Sequence, residues 1–223
     1  MNLLALDTAT EACSAALLLD DAVSERFEVI GRGHAERLLP MADALLGEAG
    51  LALHDLDAIA FGRGPGGFTG LRIAAGVAQG LAAGARLPVV PISNLAAVAA
   101  AAARETGALR ILACLDARMG EVYWAAFTWD GSAPQPVTDE RLSKPDGVLP
   151  PESGSWRGAG SGFAAHPAIA ERLGARLAGV DAGLLPHAAD IARLAAIEFA
   201  AGRSVPAARA LPVYLRNEVV HRR

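Results

Sequence analysis

Apolar residues along this chain recur with two periods, and the change from one period to the other marks out its elements. Leu3 to Asp7 is an apolar run that ends in DTAT, and Cys13 to Leu19 is a second run of strand character. Asp20 and Asp21 turn the chain into Val23 to Ile30, so the start predicts a meander of antiparallel strands. From His34 to Ala49 the spacing lengthens, and Leu38, Met41, Ala42, Leu45 and Leu46 fall on one wide face of a helix. Leu51 to His54 and a turn at Asp55 to Asp57 lead to a short apolar strand, Leu56 to Phe61, then to a loop of close-set glycines and an apolar helix. Leu87 to Ile92, bracketed by Pro88 and Pro91, predicts another strand. Ser93 or Asn94 then caps an Ala-rich helix that fades at Glu105 to Gly107.

A second lobe begins there in the same way. Ile111 to Leu115 ends in Asp116, and Val122 to Trp129 returns antiparallel after ARMGE, which repeats the opening order of strand, Asp, turn and strand. The division is residues 1–106 and 107–223, an α/β chain whose sheets mix antiparallel and parallel pairing. Gly131 to Gly162 is rich in Pro, Gly and Ser, with a hairpin turn at Asp130-Gly131 and one strand near Val137 to Leu142. Ala188 to Ala200 is an amphipathic helix closed by Gly202. The end, His221, Arg222 and Arg223, is expected to be solvated, with at most weak contact to RNA.

The glycine loop GRGPGGFT has the glycine spacing of a phosphate-binding loop, but Phe68 stands where that loop needs its lysine. Without the cation a triphosphate is uncompensated, and Thr69 reads instead as a helix N-cap, with Phe68 and Ile73 as a hydrophobic staple. Arg72 then falls at the third helical position, where its charge opposes the helix dipole and calls for an anion or carboxylate. Gly76, Gly80 and Gly84 form a stripe along one face, each about 0.8–1 kcal/mol worse than Ala in a helix. Spacing alone favours packing of that stripe on the chain's own sheet over a partner's helix. His34 lacks a second imidazole one turn on, because Leu38 stands there, so a cap or surface role is expected rather than a metal site.

Composition narrows the function. A formal net charge of −4 and a pI near 5.7 argue against a protein that grips nucleic acid alone. Cys13 and Cys114 sit in apolar runs without metal spacing, as expected for buried, reduced thiols of a cytoplasmic protein. The apolar runs are too broken for a membrane span, and the start reads as a strand, without the basic stretch of a signal peptide. No nucleophile elbow, Cys–His context or His pair offers a reaction centre.

Four stretches, LALDTAT, GRGPGGFTGLRIAAG, LDARMGEVYWAAF and PVYLR, resemble the TsaB (YeaZ) family in order and over almost the whole chain. The resemblance implies an actin-like (ASKHA) fold of two lobes, built from duplicated strand-strand-strand-helix-strand-helix units. It implies a non-catalytic subunit that supports threonylcarbamoyl transfer to a tRNA adenosine, with a TsaD-type catalytic paralogue and a TsaE-type ATPase as partners. Contact with tRNA would come only through that complex, and a homodimer would form when the partner is absent. The pairing face would use His34, Leu38, Met41, Ala42 and Leu45 of the first helix and Phe68, Thr69, Arg72, Ile73, Gly76, Val77 and Gly80 of the glycine-striped one. Asp7, Asp116, Arg118, Gly158 and Gly160 would be a vestigial nucleotide site, since Arg118 and Met119 put bulk where ATP-using relatives carry glycines. ATP or ADP would then bind at a partner interface and not tightly to this chain. The alternatives are an actin-like ATPase or kinase using Asp7, Asp116 and the late glycines, and a glycoprotease-type peptidase, both acting alone.

Overall fold

A computed structural model describes residues 1–151 and 154–216 of the protein; the basic residues 221–223 lie outside them. Two sheets form its frame. The first contains β1 (Asn2–Asp7), β2 (Ala12–Leu19), β3 (Ala22–Val29), β4 (Ala58–Gly64) and β5 (Val89–Ser93), in the order β3-β2-β1-β4-β5. β1, β2 and β3 are antiparallel, whereas β4 pairs parallel to β1 and β5 parallel to β4. The second sheet has β6 (Arg110–Arg118), β7 (Glu121–Trp129), β8 (Pro134–Pro136), β10 (Trp156–Ala159) and β11 (Leu177–Asp181), in the order β11-β10-β6-β7-β8. A short β9 (Arg141–Ser143) also pairs with β7. Each sheet thus grows from a central hairpin with parallel strands added on one side, and the duplicated, actin-like plan is present in both halves.

The strand expected over Val137 to Leu142 is instead two pieces, β8 and β9, which share the edge of β7. Pro134 and Pro136 have no N–H to give a ladder, and between the pieces Val137 N and Thr138 N both turn to Ala126 O. The Asp130-Gly131 turn forms as expected, with Asp130 Oδ1 accepting from Ser132 N and Ala133 N at 2.8 Å each.

Burial explains the reading of β1 as a continuous apolar run. Leu4 and Leu6 face α1 (His34–Ala49) and α2 (Phe68–Ala85), while Leu3 and Ala5 face α6 (Ala188–Ala200), so both faces are covered. The core of the first face joins Leu38, Met41 and Leu45 of α1 to Ala74, Ala78 and Ala82 of α2. α3 (Asn94–Thr106) lies on the second sheet through Leu95, Val98, Ala99 and Ala102. On that sheet's outer face Trp124 and Cys114 meet Phe163 of α4 (Ser161–Ala165) and Ile169 and Leu173 of α5 (Ala168–Leu173).

The halves 1–106 and 107–223 each supply one sheet, but their helices do not respect the boundary. α3, from the first half, packs on the second sheet, and α6, from the second half, packs on the first. Polar groups fix the second crossing: Ala188 N donates to Ser14 Oγ, Ala189 N donates to Glu25 Oε1, and His187 stacks on Phe27 with its Nδ1 2.9 Å from Glu25 Oε2.

Candidate functional site

The glycine loop is explained by the strand beneath it. Gly67 N donates to Ala9 O at 2.7 Å, and Thr8 Oγ1 donates to Gly70 O at 2.7 Å. A Cβ on Gly66 would come within 2.6 Å of Ala9 O, and one on Gly70 would overlap Thr8 O. Backbone lies against backbone here, so the glycines serve close packing of the α2 start on the DTAT turn. This moves the helix boundary. The N-cap is Gly67, no side chain caps it, and Thr69 stands exposed within the first turn, which corrects the expected Thr69 cap and its staple. Arg72 is accordingly the fifth helical residue, and no carboxylate meets it among the described residues. Its companions are aromatic: the guanidinium lies 3.9 Å from the Phe68 ring centroid, and Nε donates to Tyr214 Oη at 3.1 Å.

Between the lobes lies a cleft of about 630 Å³, walled by Thr8 to Glu11, Gly31 to Glu36, the start of α2, Leu115 to Arg118 and Ser161. His34 is the first residue of α1, not its cap, and its Nε2 lies 3.0 Å from Thr10 O, so it ties the helix to the β1–β2 turn. Asp116 is in the cleft: its Oδ1 accepts from Arg118 N at 2.9 Å, and its Oδ2 lies 3.1 Å from Arg118 Nη1. Arg118 and Met119 hold left-handed backbone, φ 61° and 57°, and of the two Arg118 lines the cleft. His166 Nε2, buried and without a hydrogen bond, is 3.9 Å from Asp116 Oδ1.

Asp7, Gly158 and Gly160, grouped with Asp116 and Arg118 in the expected nucleotide site, are placed elsewhere. Asp7 is fully buried, accepting from Asn94 Nδ2 at 2.6 Å and from Ala9 N at 3.2 Å. Burial pushes its carboxyl up to about 7, against the opposing pull of those two hydrogen bonds. Gly158 lies against the Phe163 ring, where a Cβ would be 2.8 Å from Cζ, and Gly160, with φ 111°, backs onto Cys114 O. Neither lines the cleft; of that loop Ser161 does. Cys13 and Cys114 are buried free thiols, each shifted up by desolvation. Among the described residues no three His, Cys, Asp or Glu converge as metal ligands.

The residues of α1 and α2 expected to pair differ in how far they reach the surface. Leu38, Met41, Ala42 and Leu45 are at most 5% exposed and belong to the protein's own core, and of the four Ala42 also lines the groove between α1 and α2. The glycine stripe behaves oppositely: Gly76, Gly80 and Gly84 are exposed, with nothing within 4 Å of where a Cβ would stand. The expectation that the stripe packs on the chain's own sheet is therefore overturned; Ala74, Ala78 and Ala82 do that from the opposite side of the helix. Phe68, Thr69 and Arg72 share the outer surface with it, and Ile73 and Val77 are half-buried beside it. Beside the stripe runs a groove of about 570 Å³, lined by Leu39, Pro40, Asp43, Leu46, Gly47 and Leu81. Leu39, 47% exposed, was legible as an apolar residue off the helical stripe.

The family model described as TsaD, tRNA N6-adenosine threonylcarbamoyltransferase, matches residues 27–196. A relative in Escherichia coli (strain K12), "tRNA threonylcarbamoyladenosine biosynthesis protein TsaB", is 45% identical over 98% of this chain and 96% of its own length. The protein of that name in Haemophilus influenzae (strain ATCC 51907 / DSM 11121 / KW20 / Rd) is 41% identical over 98% and 95%. A solved structure, "YeaZ from Pseudomonas aeruginosa", superposes with a TM-score of 0.90 at 50% identity, covering 96% of this chain and 99% of that one. With such likeness along nearly its entire length, in sequence and in fold, this chain belongs to the TsaB (YeaZ) family of tRNA threonylcarbamoyladenosine biosynthesis proteins.

Proposed function

We propose that this chain is the non-catalytic, activating subunit of a threonylcarbamoyl-transfer system, pairing with a TsaD-type catalytic paralogue and working with a TsaE-type ATPase in the cytoplasm. The observation that carries the reading is the open glycine face of α2, where Gly76, Gly80 and Gly84 have nothing within 4 Å of a Cβ position. Three glycines in an exposed helix lower its stability by about 0.8–1 kcal/mol each relative to Ala, a loss that close approach of another helix offsets. The groove beside them supplies apolar surface from Leu39, Pro40 and Leu81 for the same contact. Among the described residues no helix is long and apolar enough to cross a membrane.

The cleft supports a non-catalytic role. Asp7 is sealed beneath Asn94, and the Arg118 guanidinium sits on Asp116, where a phosphate or its metal would need that carboxylate. Nucleotide is therefore taken at the partner interface, and tRNA is reached only through the complex. Without a partner the same face pairs two copies. Mixing the purified chain with a TsaD-type protein and measuring the mass by light scattering tests the reading: a complex is expected with wild type and none with Gly80→Leu. Separate species in both mixtures refute it. Calorimetry with Mg·ATP on the isolated chain is expected to show no tight binding; tight binding with turnover would establish the kinase reading instead.

A further inference from the structure

The last described segment of the chain, residues 210–216, is strapped across both lobes. Gln79 Nε2 donates to Ala210 O at 2.9 Å and Val213 N donates to Arg63 O at 2.7 Å, which fixes the strap to the first lobe. Arg216 anchors its far end on the second, with Nη2 2.7 Å from Glu121 Oε2 and 3.1 Å from Ala117 O. Three stretches remote in sequence, the α2 start, the β6–β7 turn and this strap, thereby enclose a small pocket of about 190 Å³. Its walls are mostly apolar and include Pro65, Phe68, Met119, Tyr123 and Tyr214. Phe68, Met119 and Tyr214 are 49%, 68% and 38% exposed, an unusual set of large side chains to leave in water together.

Arg72 stands beside the pocket, against two of the aromatic side chains that line it. It holds Tyr214 through Nε and covers Phe68, and neither of its Nη groups meets a carboxylate among the described residues. We propose that the pocket is a docking site for an acidic segment of a partner protein, which seats one apolar side chain between Phe68, Met119 and Tyr214 and a carboxylate on Arg72. The volume is about that of one large apolar side chain, and aromatic, Met and Arg residues are the types that anchor protein interfaces. The planar fork of Arg72, with both Nη groups unclaimed, matches a carboxylate in bidentate geometry. A nucleobase suits the pocket less well, because its polar edges would be buried against apolar walls. Phe68 and Arg72 also border the outer surface that carries the glycine stripe, but a peptide that binds the chain with no TsaD-type protein present reads the pocket apart from the pairing proposed there.

The test uses the full chain and a phage-displayed random peptide library, with the best selected peptide synthesised and its affinity measured by fluorescence anisotropy. Selected peptides are expected to carry Asp or Glu beside Phe, Leu, Trp or Met. Arg72→Glu and Tyr214→Ala are each expected to weaken binding by about tenfold or more. A peptide with Lys in place of the acidic residue should recover affinity for Arg72→Glu, which also shows that the variant is folded. Selection of no peptide, selection without acidic residues, or affinities unchanged in both variants overturns the proposal. Two further outcomes would also overturn it by assigning the pocket to another occupant. One is a labelled single-stranded RNA whose salt-sensitive binding is lost in Phe68→Ala. The other is an oligomer of the protein alone that dissociates in Arg72→Glu.

Discussion

Replacing Gly80 by Leu separates internal packing from an interface more cleanly than any other change. Within the free chain the new side chain starts into open space, because beyond the helix's own backbone nothing lies within 4 Å of the Cβ position, and the backbone there is helical. Gly is about 0.8–1 kcal/mol worse than Ala in a helix interior and Leu is close to Ala, so the monomer gains roughly 0.5–0.8 kcal/mol. For a chain of this size that raises the Tm by about 1–3 °C. Against a closely packed partner helix the effect reverses, since a side chain forced into a filled contact is worth about 1–3 kcal/mol of strain, or a Kd weakened by about 5–150-fold. Thermal denaturation at low protein concentration, where a self-dimer adds nothing to apparent stability, reads the first number. Light scattering of the mixture with a TsaD-type protein reads the second. A variant less stable than wild type by more than about 1 kcal/mol means that the stripe is packed inside this protein after all. A stable variant that still associates at wild-type strength removes the glycine face from the interface.

Gly62→Ala tests the buried carboxylate from outside: its Cβ would overlap Asp7 Oδ1 and stand 2.7 Å from Asn94 Nδ2, so a loss of about 3 kcal/mol is expected. Denaturant midpoints within 1 kcal/mol of wild type would show that this pair gives way readily. Asp7 has its folded-state pKa raised to about 7, so its protonated form contributes stability that is full below the unfolded value of about 3.9 and is lost as pH rises through 7. Asp7→Asn, which cannot ionise, should gain Tm relative to wild type across that window, and a difference independent of pH refutes the assignment. His187 is also raised, chiefly by its hydrogen bond to Glu25, so the charged pair is fully formed below about pH 6.5 and is lost as pH rises through the folded value. His187→Gln should flatten wild type's decline in Tm above that pH; an unchanged profile means that the α6 docking does not rely on the charge.

Where a segment's fate is decided by its own periodicity, the sequence was sufficient. α1 and α6 begin and end where their apolar spacing places them, and Ser93 caps α3 through a hydrogen bond to Ala96 N. Elements fixed by distant neighbours were not legible. β10 and β11 are short strands whose partners are β6 and each other, and α4 and α5 lie among Pro, Gly and Ser that give no periodic signal. The α2 boundary was placed late because an N-capping Thr is a local clue, whereas the actual start is set by backbone contact with Thr8 and Ala9. Arg72 showed its unmet charge in sequence, but Tyr214, which holds it, is 142 residues away.

The burial of the α1 residues expected to pair has a more general cause. An apolar stripe at helical spacing marks the face that the chain buries in itself, and Leu38, Met41 and Leu45 obey that rule in the core of the first lobe. Surface left open in the free chain is carried instead by residues that break the rule: Leu39 and Pro40 on α1, and glycines on α2 at positions facing away from Ala74, Ala78 and Ala82. A substitution at Leu45 would therefore weaken association only by unfolding the lobe, while one at Gly80 can act on association alone. That difference in what each residue touches is why stability and association must be measured on the same variant, and why only residues idle in the monomer can report on a partner.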